Sequence, residues 1–397
     1  MQHLVVISKD VLCRRYLPTY GNKHWKTPNI DELAAKGTVF KRHYTAAPST
    51  AMAFTSMFTG KYPYKTDRTD YVEVKDYTEE GGVTLFDALH EKGYDCHLVW
   101  SHNYTTMTER YAKCFGKHTV HHDQMYFNQF VGPHIGGLPN LERDDAILEE
   151  KYAALIEEID TIDRSKPVFL WVHLPHVIKG RVAYGDDIDI VDRFVGDIRK
   201  RFGDYIFITA DHGTNDGKEH KPGYGFDVFE PAIHIPLIAP RLEGQETWEG
   251  LTSNTDLFEM LMNATIPKHD YVISDTAYYQ QPFRKIAIIS GNYKLVYDKF
   301  KKKKSFYDVI EDPNENIDLY EKVMNDPDRN KKVVARQTLY YHYWDEVDEH
   351  FEELDKIFKE IWNNGSTYLN IKNYILKKTK YFLYNIKGKL KVIFGKS

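Results

Sequence analysis

The chain opens on a four-residue apolar run, Leu4-Val5-Val6-Ile7, between polar Gln2-His3 and Ser8-Lys9-Asp10. A short β-branched run with polar ends predicts a strand buried on both faces. A helical pattern follows over Asn29–Lys36, opened by Thr27-Pro28 and stopped by Gly37. Phe54–Phe58 predicts a second helix, halted by Gly60 and Pro63, and Leu85–Lys92 a third. Asp95–Trp100 then predicts a strand. Residues 102–140 are rich in His, Tyr and Gly without a clear period, as expected of a long loop region that helps to form a site. Beyond it come a long helix (Asp144–Arg164), a strand (Val168–His173), a helix (Ile190–Arg201) and a strand (Tyr205–Thr209). Such alternation predicts an α/β fold with a large mixed, mostly parallel sheet flanked by helices.

The texture changes near residue 275. Lys285–Ser290 and Lys294–Asp298 read as a hairpin around Gly291-Asn292. Lys301–Lys304 is placed in the next turn, and Phe306–Val309 is a third strand. Residues 345–363 predict an amphipathic acidic helix with Val347, Phe351, Leu354 and Phe358 on one stripe. The expected organisation is a catalytic α/β domain over 1–275, an antiparallel subdomain over 276–345 and a helical, Lys-rich tail over 346–397.

Composition narrows the function classes. With 42% hydrophobic and 28% charged residues over 397 positions, the chain can bury a sizeable core. No apolar stretch approaches the ~18 residues of a membrane span, and the N-terminus turns polar too early for a signal peptide. A cytoplasmic protein is therefore expected. Cys13, Cys96 and Cys114 are too few for a disulfide framework, and no Cys-x-x-Cys pair suggests zinc. Charge is unevenly distributed. Residues 365–397 hold eight lysines and no acid, interleaved with Tyr374, Ile375, Tyr381, Phe382, Val392 and Phe394. That composition fits either a segment that touches anionic lipid at the inner membrane face or a tail packed on the body. The acidic remainder argues against a nucleic-acid partner.

In open α/β sheets, sites form beyond the carboxyl ends of the strands. Three such ends carry metal-ligand chemistry: Asp10, His173-Leu-Pro-His176 and Asp211-His212-Gly213. Carboxylates with imidazole suit one zinc or manganese ion better than calcium, which prefers oxygen alone. The same residues also read as helix caps and ordinary loop histidines.

An ordered set of short motifs adds to this reading. Asp10 is followed by Tyr20-Gly21, then Thr27-Pro28 through Gly37 and Phe40, then Thr50 with Phe58-Thr59-Gly60-Lys61-Tyr62-Pro63. Further on stand Phe207–Gly213, Ile235–Ile238, Asn292–Val296, Tyr307-Asp308 and Glu311-Asp312-Pro313. Collinear over residues 3–320, the set resembles the sulfatase branch of the alkaline phosphatase superfamily. The resemblance implies that superfamily's fold, with a metal held by Asp10, Thr50, Asp211 and His212 and with Thr50 as nucleophile. It implies that His176 and His220 contact substrate or protonate the leaving group, with His173, His102, His121 and His122 as weaker candidates. Ser49 is a second candidate nucleophile, and Thr50 also reads as an N-cap.

The departures are informative. In sulfatases a Cys or Ser followed by x-Pro-Ser-Arg becomes formylglycine; here Thr50 is followed by Ala51-Met52-Ala53. Trp100-Ser101-His102-Asn103 stands where sulfatases carry the lysine that holds sulfate, and Lys9 precedes Asp10 where two acids are usual. Thr at the nucleophile position resembles the phosphoethanolamine and glycerol-phosphate transferases. The expectation is thus a metal-dependent phosphate-ester enzyme that forms a phospho-Thr. It would pass a substituted phosphate from a phosphate-ester donor to a glycan or lipid-linked glycan. The alternatives are a soluble hydrolase of phosphodiester, phosphonate or sulfate esters and an inactive binding module.

Overall fold

The computed structural model describes residues 2–63, 82–100, 119–122, 145–174, 188–215, 220, 223–276, 284–298 and 300–320, with Leu354 and Lys356. Among the described residues, one sheet has eight strands: β1 (Leu4–Lys9), β2 (Thr38–Tyr44), β3 (Asp95–Trp100), β4 (Thr119–His122), β5 (Val168–Leu174), β6 (Ile206–Ala210), β7 (His234–Ala239) and β8 (Thr247–Ser253). Their spatial order is β4-β3-β5-β1-β6-β7-β2-β8. Every neighbouring pair is parallel except the two made by β7.

Helices cover both faces: α1 (Pro28–Lys36), α2 (Thr50–Thr59), α3 (Leu85–Glu91), α4 (Asp145–Asp160), α5 (Ile188–Phe202), the short α6 (Glu230–Ile233) and α7 (Leu257–Asn263). The period of two divides β1 between them. Val5 and Ile7 join Val172, Ile208, Leu33, Leu155 and Phe194, whereas Leu4 and Val6 join Trp171, Phe207, Phe54, Phe86 and Leu257. Burial on both faces is why the central strands read as continuous apolar runs.

A second sheet is wholly antiparallel, in the order β12-β11-β10-β9, with β9 at Tyr271–Asp275, β10 at Lys285–Ser290, β11 at Tyr293–Asp298 and β12 at Lys303–Asp308. It begins earlier than the sequence reading places it, because Tyr271–Asp275 pairs with β10. Lys303 and Lys304 belong to the strand rather than the turn, since Lys303 pairs with Asp298 across the hairpin. One face of this sheet packs Val272, Ala287 and Val296 on Tyr44, Val228 and Ile233 of the larger unit. The other face takes Leu319 and the fully buried Leu354. The rest of the helix expected over 345–363, and all of 365–397, lie outside the described residues.

A buried charge cluster joins the two sheets. Lys294 on β11 bonds Glu230 Oε1 at 3.0 Å and Val228 O at 3.1 Å, and lies 2.6 Å from Glu315 Oε1. Glu230 Oε2 in turn lies 2.7 Å from His234 Nδ1 on β7. Among the described residues, no helix is long and apolar enough to cross a membrane.

Candidate active site

Strand register assembles the site. Ser8 on β1 stands beside His173 on β5, and Lys9 beside Ala210 on β6, so the residues next in line at the carboxyl ends converge. Asp10 N donates to Leu174 O at 2.8 Å, which continues the β1–β5 ladder by one step. The next residue, Val11, has φ 62°, an unusual conformation for a β-branched side chain. That turn aims the Val11 N–H at Asp211 Oδ1, 3.2 Å away.

Asp10, His173 and Asp211, all buried, each present a ligand atom, and these atoms lie within 4.8 Å of one another. Asp211 Oδ1 accepts from Val11 N and from His212 N at 2.8 Å. Its Oδ2 accepts no hydrogen bond and lies 4.0 Å from His173 Nε2 and 3.5 Å from His212 Nε2. Burial pushes the Asp211 carboxyl up to about 6, the His212 ring pulls it down, and the Asp10 carboxylate adds to the rise. A buried carboxylate pair with an orphaned oxygen and adjacent imidazole nitrogens is a donor set that fits a divalent cation.

Thr50 stands at the positive end of α2. Ser49 (φ −155°) takes the N-cap position without a side-chain bond, so Thr50 is the first helical residue, not the cap. All ten residues of α2 are buried. Its interior hydroxyls are satisfied by back-bonding, Thr55 to Ala51 O, Ser56 to Met52 O and Thr59 to Thr55 O. The Thr50 hydroxyl instead faces His212 Nε2 at 3.3 Å. His212 Nδ1 donates to Gly213 O at 2.8 Å, which leaves the Nε2 lone pair towards Thr50. The ring is backed by Tyr224, with centroids 4.4 Å apart, and His212 Nε2 is 3.7 Å from Asp10 Oδ1.

The structure therefore brings together Asp10, Thr50, Asp211 and His212, and adds His173 to them. The Val-His-Leu end of β5 was the available signal for His173, but a strand-end imidazole gains meaning only from its neighbours across the sheet. His220 Nε2 bonds Asn314 O at 2.9 Å, and its ring stacks on Phe229. His176 and His102 lie outside the described residues, as do the side chains of His121 and His122.

Residues 2–177 match the sulfatase family model. The chain thus has a segment similar to the sulfatase family and a sulfatase-like fold. It is 26% identical over 322 residues to N-acetylgalactosamine-6-sulfatase of Canis lupus familiaris, covering 65% of this chain and 61% of that one. To steryl-sulfatase of Homo sapiens it is 29% identical over 123 residues, 28% of this chain and 20% of that one. The chain thus spans less than two thirds of the length of these curated relatives. Among solved structures, a 2-O GAG sulfatase superposes with a TM-score of 0.63 at 15% identity, over 91% of this chain and 92% of the other. The phosphonate monoester hydrolase of Agrobacterium radiobacter gives 0.60 at 15% identity, over 91% and 96%.

Proposed function

We propose that this protein is a metal-dependent hydrolase of phosphonate, phosphate or sulfate esters, with Thr50 as nucleophile. The observation that carries the reading is the Thr50 hydroxyl at 3.3 Å from His212 Nε2, beside the buried Asp10, His173 and Asp211. The sulfatase and phosphonate monoester hydrolase similarities support hydrolysis as the reaction class.

Asp10, His173 and Asp211 would hold the cation; two carboxylates with imidazole favour zinc or manganese over calcium. A cation there supplies Lewis-acid stabilisation of charge on the ester oxygens. The chain's own groups do the rest. His212 Nε2 takes the Thr50 proton, and its Nδ1–H···Gly213 bond keeps the accepting lone pair in place. The Thr50 oxygen bonds to phosphorus or sulfur as the ester's leaving oxygen departs, and the N-terminal end of α2 favours the negative charge. Water then attacks the Thr50 ester and releases the acid, and Thr50 recovers a proton. A threonine ester is released by attack at the central atom, which suits phosphorus better than sulfur.

Thr50 in place of the formylglycine precursor also supports a second reading. In it, a glycan hydroxyl replaces water and receives a substituted phosphate, as in the transferases that Thr50 resembles.

The test is turnover of aryl phosphate, phosphonate, phosphodiester and sulfate esters by the full chain with zinc or manganese, beside Thr50→Ala. Loss of at least ~10²–10⁴-fold is expected from removing the nucleophile and its base contact. Activity that chelation suppresses and zinc or manganese restores is also expected. Sulfate-ester hydrolysis that survives Thr50→Ala would overturn the proposal, and added sugar acceptor separates transfer from hydrolysis by its product.

A further inference from the structure

Two polar groups behind the site take no part in the chemistry described above. Ser8 and Trp171 are wholly buried beneath His173, on the side away from the carboxylates. Trp171 Nε1 donates to Ser8 Oγ at 2.9 Å. Ser8 Oγ also lies 3.0 Å from His173 Nδ1 and 3.4 Å from Val172 O. Phe54 of α2 closes the same space, edge-on to His173 with centroids 4.7 Å apart.

Counting donors and acceptors assigns the protons. A serine hydroxyl offers one proton and two lone pairs, and an indole N–H can only donate. One Ser8 lone pair is thus occupied by Trp171. If the hydroxyl proton goes to Val172 O, the other lone pair receives a proton from His173 Nδ1, and every Ser8 site is used. In the opposite arrangement Ser8 donates to Nδ1, one lone pair has no donor, and a proton on Nε2 faces the carboxylates in place of a cation. Full satisfaction in a dry interior favours the first.

We infer that Ser8, held by Trp171, is the positioning residue that fixes His173 with Nδ1–H directed at Ser8 and the Nε2 lone pair directed at Asp10 and Asp211. The inference rests on the reading that His173 helps to hold the cation. Ser8 then does for His173 what a carbonyl or carboxylate commonly does behind a metal-bound histidine. The β1–β5 register that pairs Ser8 with His173 builds this support into the sheet.

The test is zinc affinity of the full chain, measured by competition with a chromogenic chelator, for wild type, Ser8→Ala and His173→Ala. Outer-shell partners of this kind are worth roughly 10–100-fold in metal affinity, and Ser8→Ala is expected to weaken zinc binding by that factor. His173→Ala is expected to weaken it more. Nitrogen-15 histidine spectra of zinc-loaded wild type supply a readout that does not depend on a variant folding. They are expected to show His173 with Nδ1 protonated and Nε2 shifted by zinc. Zinc affinity within two-fold of wild type in Ser8→Ala, or an unprotonated Nδ1, overturns the role of Ser8. Unchanged affinity in His173→Ala overturns the reading of the metal group itself.

Discussion

At the scale of single residues, the site depends on close approaches that leave no spare volume. Gly213 follows His212 and supplies the carbonyl that orients it. A Cβ at Gly213 would fall 2.1 Å from Pro231 O and 3.2 Å from Cys13 Sγ. The Cys13 thiol is itself held there by Thr214 O at 3.2 Å and Pro231 O at 3.0 Å. Gly213→Ala is therefore expected to destabilise the fold by about 1–3 kcal/mol, the usual cost of overpacking. It should also reduce turnover by about 10²-fold through displacement of His212. Urea unfolding beside steady-state kinetics separates the two effects, and a stability loss with normal turnover would show that the His212 position tolerates the shift.

At the scale of elements, the contact between β11, α6 and the turn that ends at Glu315 is the feature with a measurable pH signature. Burial pushes the Glu315 carboxyl up to about 7; Lys294 opposes that rise and Glu230 adds to it. For Glu230 burial also acts upward, but Lys294 and His234 outweigh it and hold the carboxyl well below its ordinary value. The two acids therefore have opposite signs. Glu315, raised on folding, contributes stability that is complete below its ordinary value of 4.5 and is lost as pH rises through about 7. Glu230, lowered on folding, contributes stability above the ordinary carboxyl range that is lost as pH falls. Between pH 4.5 and 7, Glu315→Gln is expected to remove a downward slope of stability with rising pH. Thermal melts across that window, read against wild type, provide the check. An unchanged slope would mean that Glu315 does not keep its proton there.

At the scale of the whole molecule, the acidic body and the basic end remain distinct. Residues 365–397 carry eight lysines and no acid, leaving 45 lysines and arginines against 58 acids in the rest. The proposal is that this segment contacts anionic lipid as a peripheral attachment. Each basic residue near such a surface is worth roughly 1 kcal/mol, so deletion of 365–397 is expected to reduce co-sedimentation with phosphatidylserine vesicles at least ~10-fold. Binding that is unchanged by the deletion would return the segment to ordinary packing on the body.

Much of the architecture was legible locally. Apolar runs such as Leu4–Ile7 and Val168–Val172 mark strands buried on two faces, because such burial removes the usual alternation. Thr50, Asp10, Asp211 and His212 were reachable from motif order. Less legible were β2, β8 and β9, whose mixed polar faces take their meaning from partners far along the chain. Lys303 and Lys304 were read as turn because a lysine run carries no strand signal until Asp298 pairs with it. The sequence by itself determined the α/β class and which polar residues stand at the strand ends and at the start of α2. Only the tertiary structure decided that His173 faces the carboxylates, that His220 bonds Asn314 and that Ser8 lies behind His173. The placement of His173 over Ser8 depends on register between strands whose residues are more than 160 apart, and register is set by packing rather than by local pattern.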